Sequence, residues 1–153
     1  MSTSAPLRTV PLDSKADLNR FIKLPAAILG SDPAWVPPLH LERSLHLGAK
    51  TNPYFEHARW KGWLAFRGDQ PVGRISAQID SLHLERYQDA TGFFGMLDAE
   101  DSQETFAALI GALLKAKPAA AKGKYLRKVT ITSTMGPSVQ MDTTLAQKLA
   151  EKV

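Results

Sequence analysis

Residues 101–117 constrain this chain more than any other stretch. Phe106, Leu109, Ile110, Leu113 and Leu114 fall at the three-and-four spacing that lines one side of a helix with 3.6 residues per turn. Asp101 with Glu104 three residues later makes a capping-box-like start, and Pro118 is a stop. A helix with a single apolar stripe has to lay that stripe on something. The preceding segments offer a surface. Residues 60–66 and 72–79 read as paired strands, joined by Arg67-Gly68-Asp69-Gln70-Pro71 with its hairpin chemistry. Along the second strand Ile75, Ala77 and Ile79 face one way, and Arg74, Ser76 and Gln78 the other.

Other elements come from the same patterning. Residues 7–12 alternate as a short strand. Ser14 followed by Asp17 opens a helix with Leu18, Phe21 and Ile22 as its buried stripe, and Pro25 either ends or kinks it or opens a second short helix. Residues 32–38 form a stiff turn anchored by Trp35. Residues 39–47 make two helical turns with Leu41 and Leu45 on one side. Residues 81–90 read as a loop or short helix, and 91–97 as a compact aromatic strand. Beyond the 101–117 helix come a lysine-bearing loop at 119–124 and a strand at 126–133. That strand has Val129 and Ile131 inward and Lys128, Thr130 and Thr132 outward. A turn at 135–138 and a terminal helix at 144–152 complete the chain. The expected fold is α/β of the α+β kind, with a mostly antiparallel central sheet flanked by helices.

A chain of 153 residues suits one compact domain, with residues 138–153 as an alternative loose tail. With 44% hydrophobic and 22% charged residues it has the balance of a soluble globular protein. No apolar run approaches the roughly 18 residues of a membrane helix. The opening Met1-Ser2-Thr3-Ser4-Ala5-Pro6 lacks a basic-then-apolar leader, so a cytoplasmic location is expected. The absence of cysteine excludes disulfides, thiolate metal sites and a cysteine nucleophile. Charge is uneven: 11 basic against 13 acidic residues up to Glu104, then 8 against 2. That asymmetry points the second half toward a polyanion.

Candidate chemistry is sparse. Glu56-His57 is a possible acid–base pair. His40 and His46 are six apart, a poor spacing for two ligands on one helix, and His83 stands alone. No nucleophile-elbow pattern occurs. No catalytic, cofactor-binding or metal residue is assigned.

Three segments carry a resemblance: Asp32-Pro33-Ala34-Trp35-Val36-Pro37-Pro38-Leu39, then Asn52-Pro53-Tyr54-Phe55-Glu56-His57-Ala58, then Pro71-Val72-Gly73-Arg74-Ile75-Ser76-Ala77 running on to Gly92-Phe93-Phe94-Gly95. In that order, across residues 7–112, they resemble the N-terminal part of bacterial GNAT-like acyltransferase proteins. The resemblance implies a strand, two helices, antiparallel strands and a helix. It also implies a place for acetyl-CoA, whose pyrophosphate such enzymes hold on backbone N–H groups at the start of the helix after the fourth strand. A Q/R-x-x-G-x-G/A loop and the helix dipole assist. Here the corresponding loop, 96–104, has no glycine and four carboxylates, Asp98, Glu100, Asp101 and Glu104. These would cap the helix end and repel a phosphate.

A second resemblance begins in the same helix. Residues 108–118, then Ala121-Lys122-Gly123-Lys124-Tyr125-Leu126-Arg127-Lys128-Val129, then Ser133-Thr134-Met135-Gly136-Pro137 resemble the C-terminal segment of the ribosomal protein L-one family across 105–145. It implies RNA contact through Ser133, Thr134, Met135 and Gly136. Where the family continues Gly-Pro-Gly, this chain has Gly136-Pro137-Ser138. Six basic residues between 115 and 128, with no acid among them, make a phosphate-binding patch, to which Lys122, Lys124, Arg127 and Lys128 belong.

The expectation is thus a chimera. A GNAT-like half-fold is completed by a borrowed helix–strand segment, with the seam inside 101–117. The first reading of function is an acyltransferase-related domain without catalysis and without a cofactor. The second is weak, salt-dependent binding of structured RNA through the basic segment and the 133–136 turn. The third is an atypical N-acyltransferase that takes acetyl-CoA. No metal or membrane partner is expected.

Overall fold

The computed structural model describes residues 5–117, 125–131 and 136–151. Its centre is a four-stranded antiparallel sheet in the order β1 (Leu7–Pro11), β2 (Ala58–Arg67), β3 (Gln70–Asp80), β4 (Phe93–Ala99). Strands β2 and β3 meet through a two-residue turn in which Gly68 takes φ +61°, a conformation glycine adopts without steric cost.

Because successive side chains on a strand point to opposite sides, β2 feeds two cores. Trp63 and Ala65 join Ile75 of β3 on one side, under helix α4 (Gln103–Lys115), which contributes Leu109, Ile110 and Leu113. Leu64 and Phe66 join the other side, under helix α1 (Lys15–Leu29), with Phe21, Ile22 and Leu24. Short helices α2 (His40–His46) and α3 (Ser81–Tyr87) and a 3-10 turn at Pro53–Glu56 occupy the connections. Strands β5 (Val129–Ile131) and β6 (Val139–Met141) form a separate two-stranded ribbon, followed by helix α5 (Thr143–Ala150), whose Ala146 and Ala150 pack against the α4 core.

The α+β architecture agrees with the sequence reading, and several details correct it. Pro25 neither ends α1 nor opens a new helix; it sits buried inside one continuous helix. A proline has no N–H for the carbonyl four residues back, here that of Phe21. Arg74 of β3 replaces the missing donor, its Nη1 donating to the Phe21 carbonyl oxygen at 2.7 Å. Helix α4 begins at Gln103, capped by Ser102 rather than by Asp101, and Phe106 is 39% exposed at the rim. Leu41 and Leu45 on α2 are exposed, and Leu47 is the residue of that segment that enters the core. In β5 only Val129 is buried; Ile131 is 58% exposed. The helix of the second segment does cover the sheet. Its strand pairs with β6, which sequence patterning did not anticipate, and does not extend the main sheet.

Arg74 also lies 4.8 Å over the Phe21 ring and pairs with Asp98 of β4 at 2.7 Å, with only 13% of its side chain exposed. Removing one member of such a buried pair leaves the other uncompensated. Arg74→Met is therefore expected to cost about 3 kcal/mol in urea denaturation. Adding Pro25→Ala returns an N–H to the Phe21 carbonyl and is expected to recover about 1 kcal/mol of that loss. Strict additivity of the two changes would show that the carbonyl is not what Arg74 satisfies.

Candidate functional site

The start of α4 is the position at which the first resemblance implies an acyl-CoA pyrophosphate. Two of its carboxylates, Glu100 and Glu104, are engaged in the fold. Glu100 receives the Thr105 hydroxyl at 2.7 Å and Arg67 Nη2 at 2.9 Å, and Glu104 receives the same Arg67 nitrogen at 3.0 Å. Ser102 Oγ accepts from the Thr105 backbone N–H at 3.4 Å, and the Ser102 N–H is donated to the Glu100 carbonyl at 2.7 Å. Asp98, the fourth acid, points to the opposite side of the sheet and pairs with Arg74. Around the helix end, Glu100, Asp101 and Glu104 outnumber Arg67, so the local charge is negative where a phosphate needs it positive. The residues at this helix start do not match the glycine-bearing pyrophosphate loop that the resemblance implies.

The strand preceding this helix carries a bulge. Arg74 pairs with Asp98 and Ser76 with Gly95, so Met96 and Leu97 together oppose Ile75, and Met96 takes φ +49°. A non-glycine residue held at positive φ is uncommon, and a bulge turns a side chain away from its regular direction. Met96 is thereby brought beside Arg74, Ile22 and residues of α2.

The proposed RNA-contact residues are only partly described. Lys122, Lys124, Ser133, Thr134 and Met135 lie outside the described residues. Arg127 and Lys128 are exposed immediately before β5, and Gly136 lies between β5 and β6. The structure therefore places Arg127 and Lys128 side by side in the chain next to the ribbon whose far end bears Gly136.

Glu56 and His57 do not pair with each other. Glu56 is exposed, while His57 Nδ1 lies 3.0 Å from Asp80 Oδ1. Asp80 also caps α3, accepting from the backbone N–H groups of Leu82 and His83. Burial pushes the Asp80 carboxyl up, but the His57 contact and the two backbone N–H groups outweigh it and hold it below the usual carboxylate range. Burial and the Asp80 charge together push the Tyr54 hydroxyl up. With the Ser81 hydroxyl donating to the His57 carbonyl at 2.7 Å, the arrangement fastens the 3-10 turn to the end of β3. His83 sits between the Tyr87 and Phe93 rings. His40 and His46 are exposed. Among the described residues no group of three or more His, Asp or Glu is placed to hold a metal, and no helix is long and apolar enough to cross a membrane.

Sequence reading missed the roles of Arg67 and Arg74. The available signal was Arg74 as the single cation of a strand covered on both sides, and Arg67 at a strand end facing a surplus of acids at 98–104. Buried charges of that kind need partners.

No family model matches the chain, and no solved structure matches it. Among curated proteins, protein YghO of Escherichia coli (strain K12) is 52% identical over 99 residues, which cover 65% of this chain and 25% of that protein. A bacterial ceramide synthase of Caulobacter vibrioides is 46% identical over 112 residues, covering 72% of this chain and 29% of that protein. The large ribosomal subunit protein uL1 of Salinispora tropica is 42% identical over 84 residues, covering 52% of this chain and 32% of that protein. The chain is thus similar to two groups of proteins and spans less than a third of the length of each relative.

The α4 network carries a pH signature. Burial raises the Glu100 carboxyl, but the Thr105 hydroxyl and Arg67 more than offset this and hold it below its usual 4.5. A carboxyl lowered in the folded state stabilises the fold above its unfolded pKa and ceases to do so as pH falls through the folded value. Glu100→Gln is expected to lower the melting temperature at pH 7. The two melting curves should converge below about pH 4. A constant difference at all pH values would remove Glu100 from the account of acid stability.

Proposed function

We propose that the chain is an acyltransferase-related domain that binds rather than catalyses. Similarity to a bacterial ceramide synthase over 72% of the chain supports the descent. The observation that carries the absence of catalysis is the occupied start of α4. Ser102 caps the helix, and Glu100 and Glu104 close on Arg67 in the place of a phosphate cradle. Without that cradle the described residues offer no built site for the acyl-CoA that an acyl transfer of this type consumes. On the same reading the chain joins two unrelated segments within α4, and its second part is a covering element for the sheet. The domain works in the cytoplasm, a setting that a chain without cysteine fits.

The test is a thermal melt followed by tryptophan fluorescence, because Trp35, Trp60 and Trp63 all report on the acyltransferase-like part. Saturating acetyl-CoA is expected to leave the transition unmoved. A ligand that binds only the folded form adds about 2.7 kcal/mol at 100 times its dissociation constant. An upward shift of that size would restore the atypical N-acyltransferase reading.

A second reading, binding of structured RNA, is favoured by the similarity to uL1 and by the acid-free run of six cations from Lys115 to Lys128. Lys122, Lys124, Arg127 and Lys128 would meet phosphates, and Ser133, Thr134, Met135 and Gly136 the sugar edge. Affinity for a structured RNA is expected to fall steeply with salt. It should drop about tenfold or more in the double variant Lys122→Glu, Lys124→Glu, measured by filter binding. Binding unaffected by both salt and the variant would end this reading.

A further inference from the structure

We propose that the cavity between α1, α2 and the β4 bulge binds the carboxylate of an apolar monocarboxylic acid, held between Arg43 and Arg74. The cavity has a volume of about 80 Å³ and is lined by Ile22 of α1, Pro38, Arg43 and Leu47 of the α2 segment, Arg74 of β3 and Met96 of the bulge. The two arginines share this lining with four residues whose side chains are apolar, Ile22, Pro38, Leu47 and Met96. Arg74 pairs with Asp98 through Nε and Nη2 and donates to the Phe21 carbonyl through Nη1. A guanidinium has five N–H bonds, so donors remain for another acceptor. Among the described residues no carboxylate pairs with Arg43. The set of Arg43, Arg74 and Asp98 therefore carries one surplus positive charge beside a low-dielectric wall.

Two features of that charge set select the ligand class. A single surplus charge matches a monoanion, whereas a phosphate dianion would meet Asp98 with an excess of negative charge. A planar carboxylate also fits the fork of a guanidinium. Electrostatics at Arg74 agree: burial lowers its pKa, Asp98 opposes that, and the nearby charge of Arg43 pushes it down further. An anion between the two arginines would relieve that repulsion.

Volume and surroundings select the rest of the molecule. About 10–15 Å³ of such space holds one water, so the cavity has room for a carboxylate and part of an alkyl chain. The remainder of a longer acid must leave by the mouth. Leu39, Arg43 and Leu47 recur every fourth residue along the α2 segment, and the last two line the cavity. Leu39 is 72% exposed, and Val36 in the lead-in is 82% exposed. An apolar tail covering them would bury carbon that now faces water. The site lies on the opposite side of the sheet from the start of α4 and stands whether or not either reading of function holds.

The experiment is a two-dimensional NMR titration of the full chain with sodium octanoate, following the methyl groups of Ile22, Leu47 and Met96. Saturable shifts of all three are expected. Arg43→Gln, an exposed position that leaves the Arg74 contacts in place, should weaken binding about tenfold or more with no change in melting temperature. Arg43→Lys should fall between, since it keeps the charge and loses the fork. Octanol should leave the three methyls in place. The proposal is overturned if octanoate does not move them, if Arg43→Gln binds as tightly as the parent, or if octanol moves them equally. Inorganic phosphate saturating the same methyls at lower concentration would overturn the choice of a monocarboxylate.

Discussion

Pro25 has no N–H to give the Phe21 carbonyl, and the guanidinium of Arg74 supplies one from the neighbouring sheet. Most of the α1 side of the molecule depends on that substitution. A buried carbonyl left unpaired costs free energy comparable to a lost hydrogen bond, so a proline inside a buried helix is tolerated only where an external donor reaches it. Arg74 reaches it because β3 runs beneath α1 and presents Arg74 on that side. Its charge is compensated there by Asp98, which stands opposite on β4. The same residue thus fixes a helix to a sheet, two strands to each other, and the edge of a bulge. Phe21 is held twice over, its carbonyl by Arg74 and its ring edge-on against Trp60 at 5.5 Å.

On the other side of the sheet the limiting contact is steric. A Cβ at Gly73 would lie 2.9 Å from Leu109 Cδ1 and 3.0 Å from Thr105 Cγ2, both on α4. The absence of a side chain there sets how closely α4 approaches. Closeness in turn brings the first turn of α4 within reach of Arg67 at the end of β2, where Glu100, Glu104 and Thr105 meet it. The acidic helix start is therefore a consequence of packing as much as of charge. Acids at a helix N-terminus are favoured by its dipole, and here a strand cation also anchors them.

What was legible in the sequence was the periodic part. The strand patterns of β2 and β3 and the apolar spacing of α4 assigned strands and helix correctly, because those patterns are written one residue after another, while Ile79 and Phe106 are exposed at the ends of their stripes. The Gly68 turn was legible for the same reason. Pro25 was not, since the donor that rescues it lies 49 positions away in the chain. Leu41 and Leu45 had helical spacing but remain exposed, because a helix of seven residues between two loops has no second layer to cover it. Glu56 and His57 are neighbours in the chain, yet the backbone turns His57 toward Asp80, 23 residues on. Nothing in the sequence indicated that the two arginines at the cavity would share one space. Arg43 lies on an exposed turn of helix and Arg74 in a strand, and the packing of the α2 segment over the sheet brings both to the lining of one cavity.

The two similarities overlap within the chain, since their shares of 72% and 52% exceed the whole by about a quarter. A stretch that long can serve both only if its physical demands coincide. Helix α4 shows how they do. Against the sheet it needs small or slender residues near Gly73, and Thr105 and Leu109 meet that need. Away from the sheet it needs a surface for the segment after it, and Leu126 and Val129 enter the same core as Ile110 and Leu113. The later segment is therefore held by side-chain burial instead of by strand pairing, and β5 finds its hydrogen bonds in β6. Burial is non-directional and tolerant of exact geometry, whereas a ladder requires register. A helix that seats by burial can accept either kind of neighbour. A new strand would have had to match the bulged and irregular line of β4.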